Sequence, residues 1–339
     1  MTRFNRIGLL ALLAAAVGCS KSASHSDGSS KPKVALLLST LQEERYQKDR
    51  SYFEDKARSL GLDPFTLAAD NDNAKQLSAV EDALARGAKV LVVQPTDSAA
   101  AAAYVAKAHE HGAKIVAYDR GISGAPDFYV AHDSHEVGVI QATEAIRSLG
   151  GKGNFVLLLG QSGNSVATEI TRGYDDVLKP YIDSGAVKIV MEKNHDAWSP
   201  EQALKTVEDT IAKTGGDIQA ILANNSGMAR GAVQAVQAGG LASKHVFIAG
   251  ADADAANVNY VCEGKQSIEV LKDIKPLAEK AAEVAAALAR GEAVPDAGST
   301  PGKVPTVSVP VLLVTASNVK SLIIDSAFHA PGEVLACSK

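Results

Sequence analysis

A chain of 339 residues, 46% hydrophobic and 22% charged, can bury the core of one large domain or of two ordinary ones. Its formal net charge of −5 argues against nucleic acid or an anionic membrane surface as partner. Only 5% of residues are aromatic, and the abundance of Ala, Val and Leu suits helices laid over a parallel sheet.

Residues 1–6 are short and basic, and residues 7–17 form an apolar run of signal-peptide length, too short to span a membrane comfortably. The run ends in Ala16-Val-Gly-Cys19, small residues directly before a cysteine, which resembles a bacterial lipoprotein cleavage box. Residues 1–18 are therefore expected to be a lipoprotein signal peptide with lipid on Cys19, the alternative being an ordinary secretory signal cut nearby. Residues 19–31, rich in Ser with Gly, Asp and Lys, read as a flexible tether. Export permits a disulfide between the two remaining cysteines, Cys262 and Cys337; sequence does not show whether they meet.

After the tether, strands are expected at 33–39, 65–69, 90–93, 115–118 and 128–131, with helices at 43–60, 74–86 and 98–111 between them. Asp70-Asn-Asp-Asn73 is a helix-start signal; it lacks the Gly and later Glu of a calcium loop. The pattern then begins again. Helices at 137–149, 167–181, 200–213 and 228–238 alternate with strands at 155–159, 187–192, 220–223 and 246–249. Two such runs of similar size predict an α/β fold of two similar doubly wound parallel-sheet lobes.

The remainder departs from this rhythm, with a strand at 267–271, a long Ala-rich helix at 276–290 and a non-periodic stretch at 291–304. A β-branched run at 307–314 and a helix at 317–326 follow. Strands this late imply that the chain crosses back between the lobes. The expected division is 32–132 plus 274–306 for the first lobe and 133–273 plus 307–336 for the second, joined by a multi-strand hinge.

Ligands of open α/β sheets bind outside the carboxyl ends of the strands. Asp119 and Arg120 stand at such an end, where an acid and a base together can accept from and donate to the hydroxyls of one small ligand. Other chemistry is poorly supported. Gly160-Gln-Ser-Gly163 is not a nucleophile elbow, because its second Gly falls one place early. No G-x-G-x-x-G follows the first strand, so no dinucleotide cofactor is expected. His132-Asp-Ser-His135 reads as a polar linker and helix start, with Asp133 a cap or hinge residue, rather than as metal ligands.

Six segments in order carry a resemblance: Glu44-Arg-Tyr-Gln-Lys-Asp-Arg50, Ala117-Tyr-Asp-Arg120, Asp176-Val-Leu-Lys-Pro180, Trp198 with Pro200-Glu-Gln-Ala-Leu204, Gly250-Ala-Asp-Ala-Asp254 and Phe328-His329. From about residue 33 to 329 the chain resembles the periplasmic sugar-binding proteins of type I fold that serve ABC importers, and among them the D-xylose-binding branch. The resemblance implies a monosaccharide ligand, an ABC permease as membrane partner, a monomer in the periplasm, and no cofactor, metal or catalysis. It also implies sugar contacts at Arg45, Tyr46, Asp119, Arg120, Asn164, Trp198, Asn225, Asp252 and Lys272. Tyr46 stands where the branch usually has tryptophan, Val166 replaces a polar group and Ser226 replaces an acid; these departures bear on which sugar is bound.

The residue types suit that ligand. Each hydroxyl donates once and accepts twice, so a dry site must offer acids, amides and cations together, and a pyranose C–H face stacks on an aromatic ring. A sensor that passes its state to a chemoreceptor or membrane kinase would need the same pocket, and a sugar-active enzyme is disfavoured by the lack of a separable acid–base pair. From sequence alone, Asp119→Ala or Asp252→Ala is expected to abolish binding and to spare the stability of the ligand-free protein.

Overall fold

The computed structural model describes residues 31–294 and 303–337, so the expected signal peptide, Cys19 and nearly all of the tether lie outside them. The first run is β1 (Lys33–Leu38), α1 (Glu44–Ser59), β2 (Asp63–Ala68), α2 (Asn73–Ala85), β3 (Val90–Val93), α3 (Ala102–Glu110), β4 (Lys114–Tyr118) and β5 (Phe128–His132). The second begins with α4 (Ser134–Leu149), β6 (Gly153–Leu159), α5 (Ser165–Asp183), β7 (Val187–Asn194) and α6 (Pro200–Thr214). It continues with β8 (Ala220–Ala223), α7 (Ser226–Ala238), β9 (Phe247–Ala251), α8 (Ala255–Cys262) and β10 (Ile268–Lys272). Then come α9 (Ile274–Arg290), β11 (Thr306–Val309) and β12 (Val311–Val314).

Among the described residues the strands form two six-stranded sheets, ordered β11-β5-β4-β3-β1-β2 and β12-β10-β9-β8-β6-β7. All pairings are parallel except β10 with β12. Both faces of the first sheet are covered, which is why its strands are continuously apolar. Val34, Leu36 and Leu38 of β1 pack under α1 and α9, while Ala35 and Leu37 face the α2–α3 side. The second sheet has its own core, built on Phe155, Leu158, Ile221 and Ile248.

Short polar residues start the helices. Asp72 Oδ1 accepts from the Lys75 N–H at 2.8 Å, and Asp133 Oδ1 from the Glu136 N–H at 3.0 Å, each supplying an orphan donor with a partner. The long β-branched run of 307–314 is two strands, not one. Pro310 has no N–H and restricts the residue before it, so the chain leaves the first sheet after Val309 and enters the second at Val311. The last crossover therefore falls at Pro310, and residues 307–309 belong to the first sheet. The expected helix at 317–326 reduces to one wide π-type turn, Lys320–Ile324.

The chain after β12 packs on the second lobe. Val319, Ile323 and Val334 join Val258, Leu271 and Val314 in a separate apolar cluster. Cys337 is disulfide-bonded to Cys262 at the end of α8, with a Cα–Cα distance of 5.3 Å.

Helices α4 and α5 cross at two glycines, Gly138 and Gly173. A Cβ added to Gly173 would run into the His135 carbonyl and the Val139 N–H, which belong to backbone and have little room to give. Gly173→Ala should therefore cost about 1–3 kcal/mol by overpacking. Urea unfolding should show a lower midpoint; an unchanged one would mean that the helices separate freely.

Candidate functional site

In each sheet the strand order reverses between the first and third strands of its run, and the polar residues of interest collect at the carboxyl ends of the strands facing that reversal. Arg45 and Tyr46 open α1 after β1, and Asp119 and Arg120 follow β4. Trp198 follows β7, Asn225 β8 and Asp252 β9, while Lys272 ends β10. The two lobes bring these eight residues, with Glu43 and Val166, around one narrow pocket. It opens onto a wider cleft lined in part by Thr40, Asn71, Glu201, Arg230 and Asp254.

The backbone is held in unusual shapes here. Asp119 (φ 59°), Trp198 (φ 57°), Asp252 (φ 100°) and Ala253 (φ 56°) all lie in the left-handed region. Such conformations cost of order 1–3 kcal/mol each and persist where the surroundings over-determine them. Gly160 permits another close approach, since a Cβ there would collide with the Trp198 ring.

Arg45 is the electrostatic centre. Its guanidinium reaches Asp119 at 3.2 Å and Asp252 at 3.1 Å, tying the first lobe to the second, and Asp49 at 3.5 Å. Lys272 adds a second cation 3.2 Å from Asp252. Arg120 donates to Tyr46 Oη (3.1 Å), Ser39 Oγ (3.1 Å) and the Pro95 carbonyl (3.2 Å), and its guanidinium lies 5.7 Å from the Trp198 ring centre. Burial works to raise the Asp119 carboxyl, but Arg45, His132 and Lys272 together outweigh it and hold that group well below the usual carboxylate range. Glu43 goes the other way. Burial, opposed only in part by Arg120, pushes it up to about 7.

Among the described residues, unpartnered buried side-chain atoms include Glu43 Oε1 and Trp198 Nε1 of the pocket lining. Buried polar groups are normally paired, so these two mark a surface built to meet a ligand. Six of the lining residues ionise: Glu43, Asp119 and Asp252 against Arg45, Arg120 and Lys272, three of each sign. The pocket therefore offers donors and acceptors of both kinds, with Glu43 only partly ionised near neutral pH, beside the rings of Tyr46 and Trp198.

Asn164 is the one sequence-identified residue that does not line this pocket. Its Oδ1 caps α5 by accepting from the Val166 N–H at 2.9 Å, and its buried Nδ2 has no partner. Asn225 lines the pocket and also caps α7 through the Met228 N–H at 2.9 Å. Sequence reasoning passed over Glu43, read there as part of a charged helix. It is the N-cap residue between β1 and α1, and that junction was the available signal. His132, read as linker, is buried in β5 with Nδ1 3.9 Å from Asp119, beyond hydrogen-bond range. Ser226 does not leave its surroundings short of an acid: it donates to Glu269 Oε2 at 2.8 Å and accepts from the Asp254 N–H at 3.2 Å.

A family model described as periplasmic binding protein domain matches residues 34–293, and the chain belongs to that family. Its two-lobe architecture is the type I periplasmic binding protein fold. Among curated proteins it is 37% identical over 307 residues to the D-xylose-binding periplasmic protein of Escherichia coli, covering 89% of this chain and 92% of that one. The D-xylose-binding periplasmic protein of Haemophilus influenzae is 34% identical over 325 residues, covering 95% and 96%. A solute-binding protein from Chloroflexus aurantiacus in complex with D-glucose superposes with a TM-score of 0.81 at 29% identity, covering 89% of this chain and 98% of that one. The family and these relatives are transport-related binding proteins, not enzymes.

Proposed function

We propose that this chain is an exported, lipid-anchored solute-binding protein that closes its lobes over a monosaccharide, D-xylose or a close relative, and delivers it to an ABC permease. The observation that carries the reading is the pocket shared by both lobes, lined by acids and bases in equal number, with two aromatic rings and two unpartnered polar atoms. A neutral polyol can donate to the acids and accept from the bases whichever state Glu43 holds. The D-xylose-binding names of the E. coli and H. influenzae relatives support the choice of sugar. The same relatives support periplasmic residence, and the cysteine box at Cys19 supports the anchor.

The test is thermal unfolding of a chain begun at Lys31 in the presence of pentoses, hexoses and polyols. A ligand that binds only the native state stabilises it by about 2.7 kcal/mol at a hundredfold excess over Kd, so D-xylose should raise the midpoint by several degrees in a dose-dependent way. A shift with another monosaccharide alone would reassign the sugar, and the Tyr46, Val166 and Ser226 departures would be the place to look. No shift with any sugar would overturn the reading.

A further inference from the structure

The Phe328-His329 segment and the Lys48 end of Glu44-Arg-Tyr-Gln-Lys48 are remote in sequence and absent from the pocket lining, yet the fold brings them together. Lys48, on α1 of the first lobe, donates from Nζ to the Phe328 carbonyl at 3.1 Å and lies 3.2 Å from His329 Nδ1. Its ammonium also sits 4.8 Å from the centre of the Phe328 ring. His329 is 1% exposed. Its Nε2 donates to the Ala253 carbonyl at 2.8 Å, which places the proton on Nε2 and leaves the Nδ1 lone pair facing Lys48.

We propose that this contact is a closure latch: Lys48 and His329 are positioning residues that set how long the lobes stay shut over the ligand, without touching it. The proposal rests on the reading of the protein as one that closes over a sugar.

Two observations and one general principle carry it. The tail belongs to the second lobe, held there by the Val319, Ile323 and Val334 cluster and by the Cys262–Cys337 disulfide. Any hinge motion that separates α1 from that lobe must therefore pull Lys48 off Phe328 and His329. Next, α1 grips the same strained turn twice. Arg45 holds the Asp252 carboxylate at 3.1 Å, while Lys48, one helical turn further on, acts through His329 on the Ala253 carbonyl. Finally, contacts made only in the closed form shift the open–closed equilibrium by their full differential free energy, wherever they lie.

The latch also has a sign with respect to pH. A neutral His329 accepts from Lys48; a protonated one presents a second cation at that distance. Every charged group facing it must be counted: Lys48 and Glu44 on α1, with Glu44 at 3.6 Å, and Glu333 on the tail at 3.7 Å. The two acids favour the imidazolium, but burial, the largest influence, depresses its pKa, so at neutral pH the ring is an acceptor. Acidification should therefore loosen the latch.

The experiment is stopped-flow binding of D-xylose to wild type, Lys48→Met and His329→Gln, followed by the fluorescence of the single tryptophan, Trp198, in the pocket lining. Lys48→Met keeps the stem and removes the ammonium. It should raise Kd about tenfold, the change lying in the dissociation rate. The midpoint of the ligand-free protein should stay put. Wild-type dissociation should quicken as pH falls below the ordinary histidine range, and the variant's should respond less. The Lys48→Met/His329→Gln pair should cost less than the sum of the singles. Wild type failing to bind any sugar would instead strike the functional reading; if another solute binds, the variant-to-wild-type ratio is measured with that solute. An unchanged dissociation rate in Lys48→Met, or equal pH responses in the two proteins, would overturn the latch.

Discussion

Arg45→Met should reduce D-xylose binding by more than a hundredfold and destabilise the ligand-free protein by about 3–5 kcal/mol, the usual cost of stripping one partner from a buried ion pair. The residue is 4% exposed and neutralises carboxylates from three places: Asp49 on its own helix, Asp119 after β4 and Asp252 after β9. Without it Asp252 keeps Lys272 at 3.2 Å, Asp119 keeps Gln94 Nε2 at 3.4 Å and the more distant His132 at 3.9 Å, and Asp49 keeps the Tyr118 hydroxyl. The loss falls on the acids that would accept sugar hydroxyls and on the link between lobes. Arg45→Lys separates the two effects. A lysine restores charge but not the planar fork that reaches two carboxylates at once, so it should recover more stability than affinity. Calorimetric titration with D-xylose and thermal unfolding, done on both variants, check this. Binding by Arg45→Met within fivefold of wild type would remove Arg45 from the site.

The same geometry revises what sequence alone suggests for the aspartates. Asp252→Ala is expected from sequence to leave the ligand-free fold untouched, but Asp252 offsets the buried Lys272 of its own lobe, besides reaching Arg45 across the lobes. Loss of stability and loss of binding arrive together at that position, so the neutral near-isostere Asp252→Asn is the more informative substitution. Pairings of this kind are not legible in one sequence, because Asp252 lies 207 positions from Arg45. What was legible has a local cause. Apolar runs such as Val90–Val93 and capped starts such as Asp72 and Asp133 announce a covered parallel sheet one element at a time, and the carboxyl-end rule then points to Asp119 and Arg120, while Asn225 and Asp252 rest on the family resemblance. Asn164 shows the limit of that resemblance. An asparagine after a strand suits a ligand and an N-cap equally, and only coordinates reveal that its Oδ1 serves α5. Pro310 shows another limit: a proline inside a β-branched run was visible, but its use to send the chain from one sheet to the other depends on where both sheets lie. The Lys48–His329 contact spans 281 positions and left no local trace beyond two short motifs.

Glu43→Gln should make the protein more stable and a poorer sugar binder. Glu43 Oε1 is buried without a partner, and burial lifts its carboxyl from the ordinary 4.5 to about 7. A group whose folded pKa is raised lends stability that is complete below the unfolded pKa and lost as pH climbs through the folded one. For Glu43 that window runs from 4.5 to about 7. Each pKa unit corresponds to about 1.4 kcal/mol, and the side chain is only partly exposed, so the loss by pH 8 should be about 1–3 kcal/mol. Glutamine keeps the shape and cannot ionise. The variant should match wild type near pH 4.5 and exceed it at pH 8 by that amount. Glu269, pushed up to about 8 by burial, stays in both proteins and should leave a shared decline into the alkaline range. Asp119 acts in the opposite sense, since the Arg45 pairing depresses it; its contribution is present above the ordinary 3.8 and fades only in acid, below the Glu43 window. Affinity should move against stability, because the amide replaces a carboxylate at the pocket wall, and a site that keeps a buried unpartnered acid trades stability for the ligand it awaits. Thermal unfolding at pH 4.5, 6 and 8, with and without D-xylose, reads both halves. A Glu43→Gln profile parallel to wild type would mean that this carboxyl titrates normally and that its burial has no functional consequence.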